Sequence, residues 1–331
     1  MDKQRLIYID IAKAITIVLV VIGHYYPDNH PVWYEQMRLV IYGFHMPLFM
    51  FSSGFVYMAT FRKESYRSFI IRKIKRLMVP YIFVSTIVIT IKLLTQNNAY
   101  VENPVTYMSY IRMLFLPEAG FFTWFVWVLW WIFLLVPLFN TMKKRLLLFI
   151  ISTVSFFIPV SFPEIFCLRE FKEMFLFFCI GCVVWDWRES LNFIKKIPAY
   201  IYIFTFLIAN YVRATGLINC IPGGNIVVAV FGIGLVVCLS RRIEKRGSRK
   251  LQKMLFALSS SSYVIYLFHT TFAGFAKAIL LKSPILQSVN NDFMFLCSMI
   301  FVVTSGILFP LLLDIFVLRK CKYTKLLFGY K

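Results

Sequence analysis

Charge is scarce in this chain, and acidic charge scarcer still. Asp and Glu number 15 against 36 Lys and Arg, and charged residues together make up only 15% of 331 positions. That is too little to clothe the surface of a soluble domain of this size. Polar linkers, low-complexity tracts and internal repeats are also missing, so a single domain over residues 1–331 is expected. The seven cysteines are odd in number and scattered, which argues against a disulfide framework or a cysteine-based zinc site. Cys179 and Cys182 form a Cys-x-x-Cys, but inside an apolar run, where cysteine usually packs as a small residue. Cys167 and Cys220 fall in predicted outer loops, where an oxidising compartment would let them pair. No His, Cys, Asp or Glu spacing supports a metal site. The first apolar run lacks a small-x-small cleavage site and contains Asp10 and Lys13, so it reads as a retained helix rather than a secretory signal.

What is abundant is apolar side chain: 60% of residues are hydrophobic and 18% aromatic, with a mean hydropathy of +0.74. Lipid solvates such a surface and water does not, so the bilayer is the expected partner. Windows of about 20 residues place helices near 6–26, 37–61, 77–95, 121–141, 146–162, 172–187, 197–215, 225–240, 254–281 and 293–318. The fold class expected is therefore all-α, a polytopic membrane protein of about ten transmembrane helices.

A formal net charge of +21 raises nucleic acid as a partner. The cations, however, cluster between apolar runs, at 62–76, 143–145, 188–196 and 241–253. Short loops rich in Lys and Arg stay cytoplasmic, so the charge reads as topology, with both termini inside and no nucleic acid. The longest outer loop, 96–120, holds a weakly apolar stretch at 107–116 placed to dip into the membrane interface.

Polar groups within apolar spans are costly and point to partners or a cavity. Asp10, Lys13 and His24 share the first helix. Eleven residues put Lys13 and His24 about 20° apart around the helix and about 16 Å apart along it. Asp10 lies about 60° from that face and can pair with Lys13. Only four histidines occur, and His45 and His269 also lie in apolar spans. One buried histidine usually means a satisfied core group; three suggest a shared polar cavity.

Several segments carry a family resemblance. Ile9-Asp10-Ile11-Ala12-Lys13-Ala14 running into Val21-Ile22-Gly23-His24 resembles the first helix of the acyltransferase family 3 membrane proteins. Phe44-His45-Met46-Pro47, ending in Ser53-Gly54-Phe55, is similar to the family's second-helix segment. The basic run from Arg72 through Arg76 into Pro80-Tyr81, the Thr123-Trp124-Phe125 element, and Ser262-Tyr263 with Tyr266-Leu267-Phe268-His269 follow in the family's order. Two departures matter. Lys13 stands where many members have Arg, which keeps the charge but loses the bidentate fork. Phe122 stands where many have His, so no catalytic role transfers there.

The resemblance implies transfer of an acyl group, commonly acetyl from acetyl-CoA, to a sugar hydroxyl of a surface glycan or lipid-linked sugar at the bacterial cytoplasmic membrane. An imidazole can deprotonate that hydroxyl or attack the thioester. The expected catalytic group is His24, assisted by Lys13 and Asp10. His45, Trp124, Tyr263, His269, Arg72 and Arg76 are the expected substrate-binding residues, with the last two facing the CoA phosphates. Direct transfer and an acyl-histidine relay both fit. A glycan exporter without acyl transfer would also bury charge in its spans.

Overall fold

The computed structural model describes residues 6–97, 101, 103–217, 223–281 and 292–330, with Lys195 and Leu281 described by their backbone alone. Fifteen α-helices follow one another in these segments, and no strand occurs among the described residues. They are α1 (Ile7–His24), α2 (Val32–Tyr42), α3 (His45–Ala59), α4 (Tyr66–Lys73), α5 (Val79–Thr95), α6 (Ser109–Arg112), α7 (Trp124–Leu135) and α8 (Met142–Phe157). After these come α9 (Leu168–Asp186), α10 (Ala199–Ala214), α11 (Gly224–Arg246), α12 (Arg249–Ser260), α13 (Ser262–Leu281), α14 (Asp292–Leu313) and α15 (Lys322–Leu327).

Among the described residues, seven helical stretches are long and apolar enough to cross a bilayer: Ile7–His24, Val32–Ala59, Tyr66–Thr95, Phe121–Leu138, Gly224–Arg246, Ser262–Leu280 and Asp292–Leu318. The other three predicted spans fall on α8, α9 and α10. Helix α10 is apolar but has only 16 residues. Helix α8 opens on Lys143, Lys144 and Arg145, and α9 carries Arg169, Glu170, Lys172 and Glu173 in its first turns. Rows of outward apolar side chains, such as Tyr200, Phe204, Leu207 and Tyr211 on α10 and Phe293, Ile300 and Phe309 on α14, need lipid as their solvent.

Local chemistry sets several boundaries. The Ser65, Thr141 and Ser248 hydroxyls accept the Ser68, Lys144 and Leu251 amides, capping α4, α8 and α12. The Ser65 cap starts a helix eleven residues before the predicted 77, so the basic run is helical rather than a loop. It continues through a π-helical turn, Ile74–Met78, directly into α5. The predicted span 254–281 breaks at Ser261 instead. Helix α12 is amphipathic and basic at its start, and only α13 is spanning.

The chain divides into two compact units. The first comprises Met1–Arg62, Phe139–Pro159 and Met174–Ser262; the second comprises Lys63–Leu138, Val160–Glu173 and Tyr263–Lys331. In the first, α1 packs against α2, α3, α11 and α12, and α10 packs along α11. Helices α3 and α9 meet backbone to backbone. A Cβ on Gly54 would lie 2.0 Å from Phe178 O, and one on Gly181 2.2 Å from Phe51 O. Small residues permit such crossings in lipid. The Cys-x-x-Cys belongs to this contact: Cys179 and Cys182 are buried, and the Cys182 thiol donates to Gly54 O at 3.5 Å. Arg145 and Asp186 tie the start of α8 to the end of α9 through two hydrogen bonds of 2.6 and 2.9 Å.

In the second unit, α7 packs against α4 and the π turn, and α15 against that turn and α5. Helix α14 runs through Pro310 into a π turn, Asp314–Leu318. Asp314 is fully buried there, accepting from Arg319 at 2.6 Å and from the Tyr330 hydroxyl. Burial, with that hydrogen bond, holds the Tyr330 phenol above its ordinary range.

Candidate active site

Helix α1 ends at His24, and a helix end leaves carbonyls without amide partners. Tyrosines of α2 add hydroxyl donors at this end. Tyr34, fully buried, places its hydroxyl 2.7 Å from Ile22 O and 2.5 Å from Tyr25 O. The Tyr42 hydroxyl donates to Gly23 O at 3.2 Å. The Tyr42 ring also covers Gly23 so closely that a Cβ there would meet it at 2.9 Å. The backbone on both sides of His24 is thereby fixed. The His24 side chain itself is exposed, between buried Gly23 and buried Tyr25.

Around His24 stand groups from α2 and α3. The Arg38 guanidinium lies within its electrostatic reach, and His24 lies within that of His45. Arg38 sits 3.6 Å over the Tyr26 ring and 5.1 Å from the Tyr42 ring, with Nε 3.3 Å from Glu35 Oε2. Glu35 also faces His30 Nε2 at 3.5 Å. His45 is buried. Its Nδ1 is 2.8 Å from Ile41 O, and since a carbonyl only accepts, Nδ1 carries the proton and Nε2 is the basic nitrogen. Its ring meets Tyr42 edge to face at 4.9 Å. Of the expected residues, then, the first unit brings His24 and His45 together and adds Arg38. The sequence reading gave Arg38 no role; its i,i+3 spacing from Glu35 was the available signal.

At the other end of α1, Lys13 is half-buried, and Asp10 accepts a hydrogen bond from Ser259 Oγ at 3.1 Å. That bond joins α1 to α12 beside the Ser261 break.

The remaining expected residues belong to the second unit. Tyr263 donates to Leu77 O at 2.7 Å, occupying a carbonyl in the π turn of the basic segment. Tyr266 donates to Phe122 O just before α7. His269 is fully buried, donates from Nδ1 to Tyr266 O at 2.8 Å, and meets the Phe122 ring at 5.0 Å. Phe122 thus fills the place of the absent histidine as a packing surface. Trp124 stacks edge to face on Phe125. Arg72 pairs with Glu64 and lies over Phe69, whereas Lys75 and Arg76 are exposed. Lys73 Nζ lies 3.3 Å over the Phe133 ring. A cavity of about 220 Å³ here is lined by Glu118, Phe121, Glu164, Cys167 and Glu170 among others. Its carboxylates are already engaged, Glu118 by Ser109 and the other two by Arg169. Burial pushes the Cys167 thiol up to about 12, which leaves it inert at neutral pH. Its expected partner, Cys220, lies outside the described residues.

Comparison with known proteins gives this arrangement a family. Two nodulation proteins NolL are similar to the chain. That of Mesorhizobium japonicum is 25% identical over 215 residues, covering 60% of this chain and 56% of its own. That of Sinorhizobium fredii is 29% identical over 187 residues, covering 54% and 48%. The matches thus span about half the length of these relatives. No solved structure matches the chain. The acyltransferase domain model of family 3 matches residues 6–314, from the start of α1 to the buried Asp314, and the chain belongs to that family.

Proposed function

We propose that this multi-pass protein of the bacterial cytoplasmic membrane transfers an acyl group, acetyl in the simplest case, from acyl-CoA to a sugar hydroxyl of a surface or exported glycan or lipid-linked sugar. The family match over residues 6–314 carries this reading. The chemistry at the end of α1 supports it. His24 is accessible, its backbone is held by Tyr34 and Tyr42, and a second imidazole and a guanidinium stand close by. His24 serves as the base that takes the acceptor proton or as the nucleophile that carries the acyl group. Lys13 and Asp10 occupy the lower end of the same helix and assist. The exposed cations Lys75 and Arg76, with Arg72, face a cytoplasmic donor's phosphates. His45, Trp124 and Tyr263 are the other proposed substrate-binding residues, whereas the enclosed His269 serves the frame.

In the proposed topology both termini and the basic segments are cytoplasmic. An impermeant thiol reagent applied to intact cells then labels Asn29→Cys and spares Ser248→Cys; the reverse pattern overturns the orientation. For the activity itself, the purified protein releases free thiol from acetyl-CoA, whereas an exporter without acyl transfer releases none. Chemical analysis of the surface glycan from a deletion strain then identifies the missing ester.

A further inference from the structure

Arg38 has no role in the sequence-derived set, yet its placement is specific. Its guanidinium is held over Tyr26, two residues beyond His24, and beside Tyr42, whose ring and hydroxyl both grip Gly23, the residue before His24. One edge of the guanidinium is used, Nε donating to Glu35. Among the described residues its Nη1 and Nη2 hydrogens have no acceptor. The side chain is only 22% exposed, so those donors are largely removed from water. Topogenic charge does not explain it, because in the proposed orientation Arg38 is a cation near the outer end, against the positive-inside bias. A planar fork with two free donor groups matches an oxyanion.

We infer that the Arg38 Nη fork stabilises the oxyanion that forms when an acyl group is transferred at His24. The inference rests on the acyl-transfer reading above. In that step the acceptor hydroxyl oxygen adds to the thioester carbonyl carbon, and the hydroxyl proton passes to the neutral nitrogen of His24. The carbonyl electron pair moves onto oxygen, where the Arg38 fork meets it. The oxyanion then collapses, the C=O bond re-forms, the C–S bond breaks, and the departing thiolate takes the proton from His24. Tyr26 and Tyr42 hold the guanidinium in place before the charge appears, so no reorganisation is needed at the moment of reaction.

Such a group acts on the transition state and not on bound donor, so its removal lowers kcat and leaves KM unchanged. The test compares the full chain with Arg38→Ala and Arg38→Lys in membranes that carry the cell's own glycan acceptor, with acetyl-CoA as donor, the acceptor hydroxyl or water taking the acyl group, and thiol release as the readout. Arg38→Ala should lose about 10²–10³ in kcat, the usual cost of an oxyanion donor, with KM for acetyl-CoA within about threefold. Arg38→Lys should keep part of the activity. Added guanidinium should restore part of the kcat of Arg38→Ala, which a merely structural role would not permit. An active wild type with Arg38→Ala turning over within about threefold of it overturns the oxyanion assignment. So does a loss of activity that guanidinium does not relieve and that follows a lowered melting temperature. A wild type without any thiol release removes the acyl-transfer reading itself, a result distinct from either.

Discussion

His24 and His269 both follow apolar runs and both carry the family resemblance, but their surroundings differ in kind. His24 has an exposed side chain on a backbone locked by two tyrosine hydroxyls, with a cation and a second imidazole close by. His269 is enclosed, gives its Nδ1 proton to its own helix, and lies against Phe122, whose carbonyl is held by Tyr266. A group that exchanges protons with substrate needs access, and a group that organises a helix start needs burial and partners. A motif can therefore mix residues that react with residues that hold the frame, and the environment separates the two where the spelling does not.

Disrupting the frame of the first unit should have the largest effect. Gly54→Val places side chain where Phe178 O already stands. Helices α3 and α9 can then no longer meet, and size-exclusion chromatography in detergent should show aggregated protein with almost no monodisperse fraction. A monodisperse, active Gly54→Val would show that the crossing is not needed. Tyr266→Phe removes the hydroxyl that donates to the Phe122 carbonyl, at a cost of about 1–3 kcal/mol. A melting temperature lower by several degrees with kcat within about threefold is expected. A hundredfold fall in kcat at an unchanged melting temperature would place Tyr266 in the chemistry instead. The smallest effect belongs to Arg72→Gln combined with Arg76→Gln. The apparent KM for acetyl-CoA should rise several-fold with kcat held, since charge-assisted phosphate contacts act on binding. An unchanged KM would leave the basic run with topology alone.

Much of the fold was legible because hydropathy is a strong, local signal. Each of the ten predicted apolar runs overlaps helix, and the first, 6–26, matches Ile7–His24 closely. What stayed hidden depended on geometry that composition does not record. The 254–281 run reads as one span because its apolar residues are continuous, yet the chain breaks at Ser261. The basic run reads as a loop because its charge masks the helix that Ser65 caps and the π turn continues. At the candidate site, the alignment of His24 on α1 followed from spacing alone. Its electrostatic contact with His45 depends on how α1, α2 and α3 pack, and Arg38 was visible only as one cation among 36.

The proposed acyl transfer depends most on His24, and removing its side chain tests that dependence directly. His24→Ala and His30→Ala are inserted at matched levels, the second being a histidine of the connecting segment whose Nδ1 donates to Pro27 O at 2.9 Å. The rate of acyl transfer from acetyl-CoA is then measured for each. Loss of a general base costs about 10²–10⁴ in rate, so His24→Ala should fall by at least about a hundredfold while His30→Ala stays near wild type. Transfer by His24→Ala within about tenfold of wild type would contradict the account and leave His24 as the residue that ends a helix.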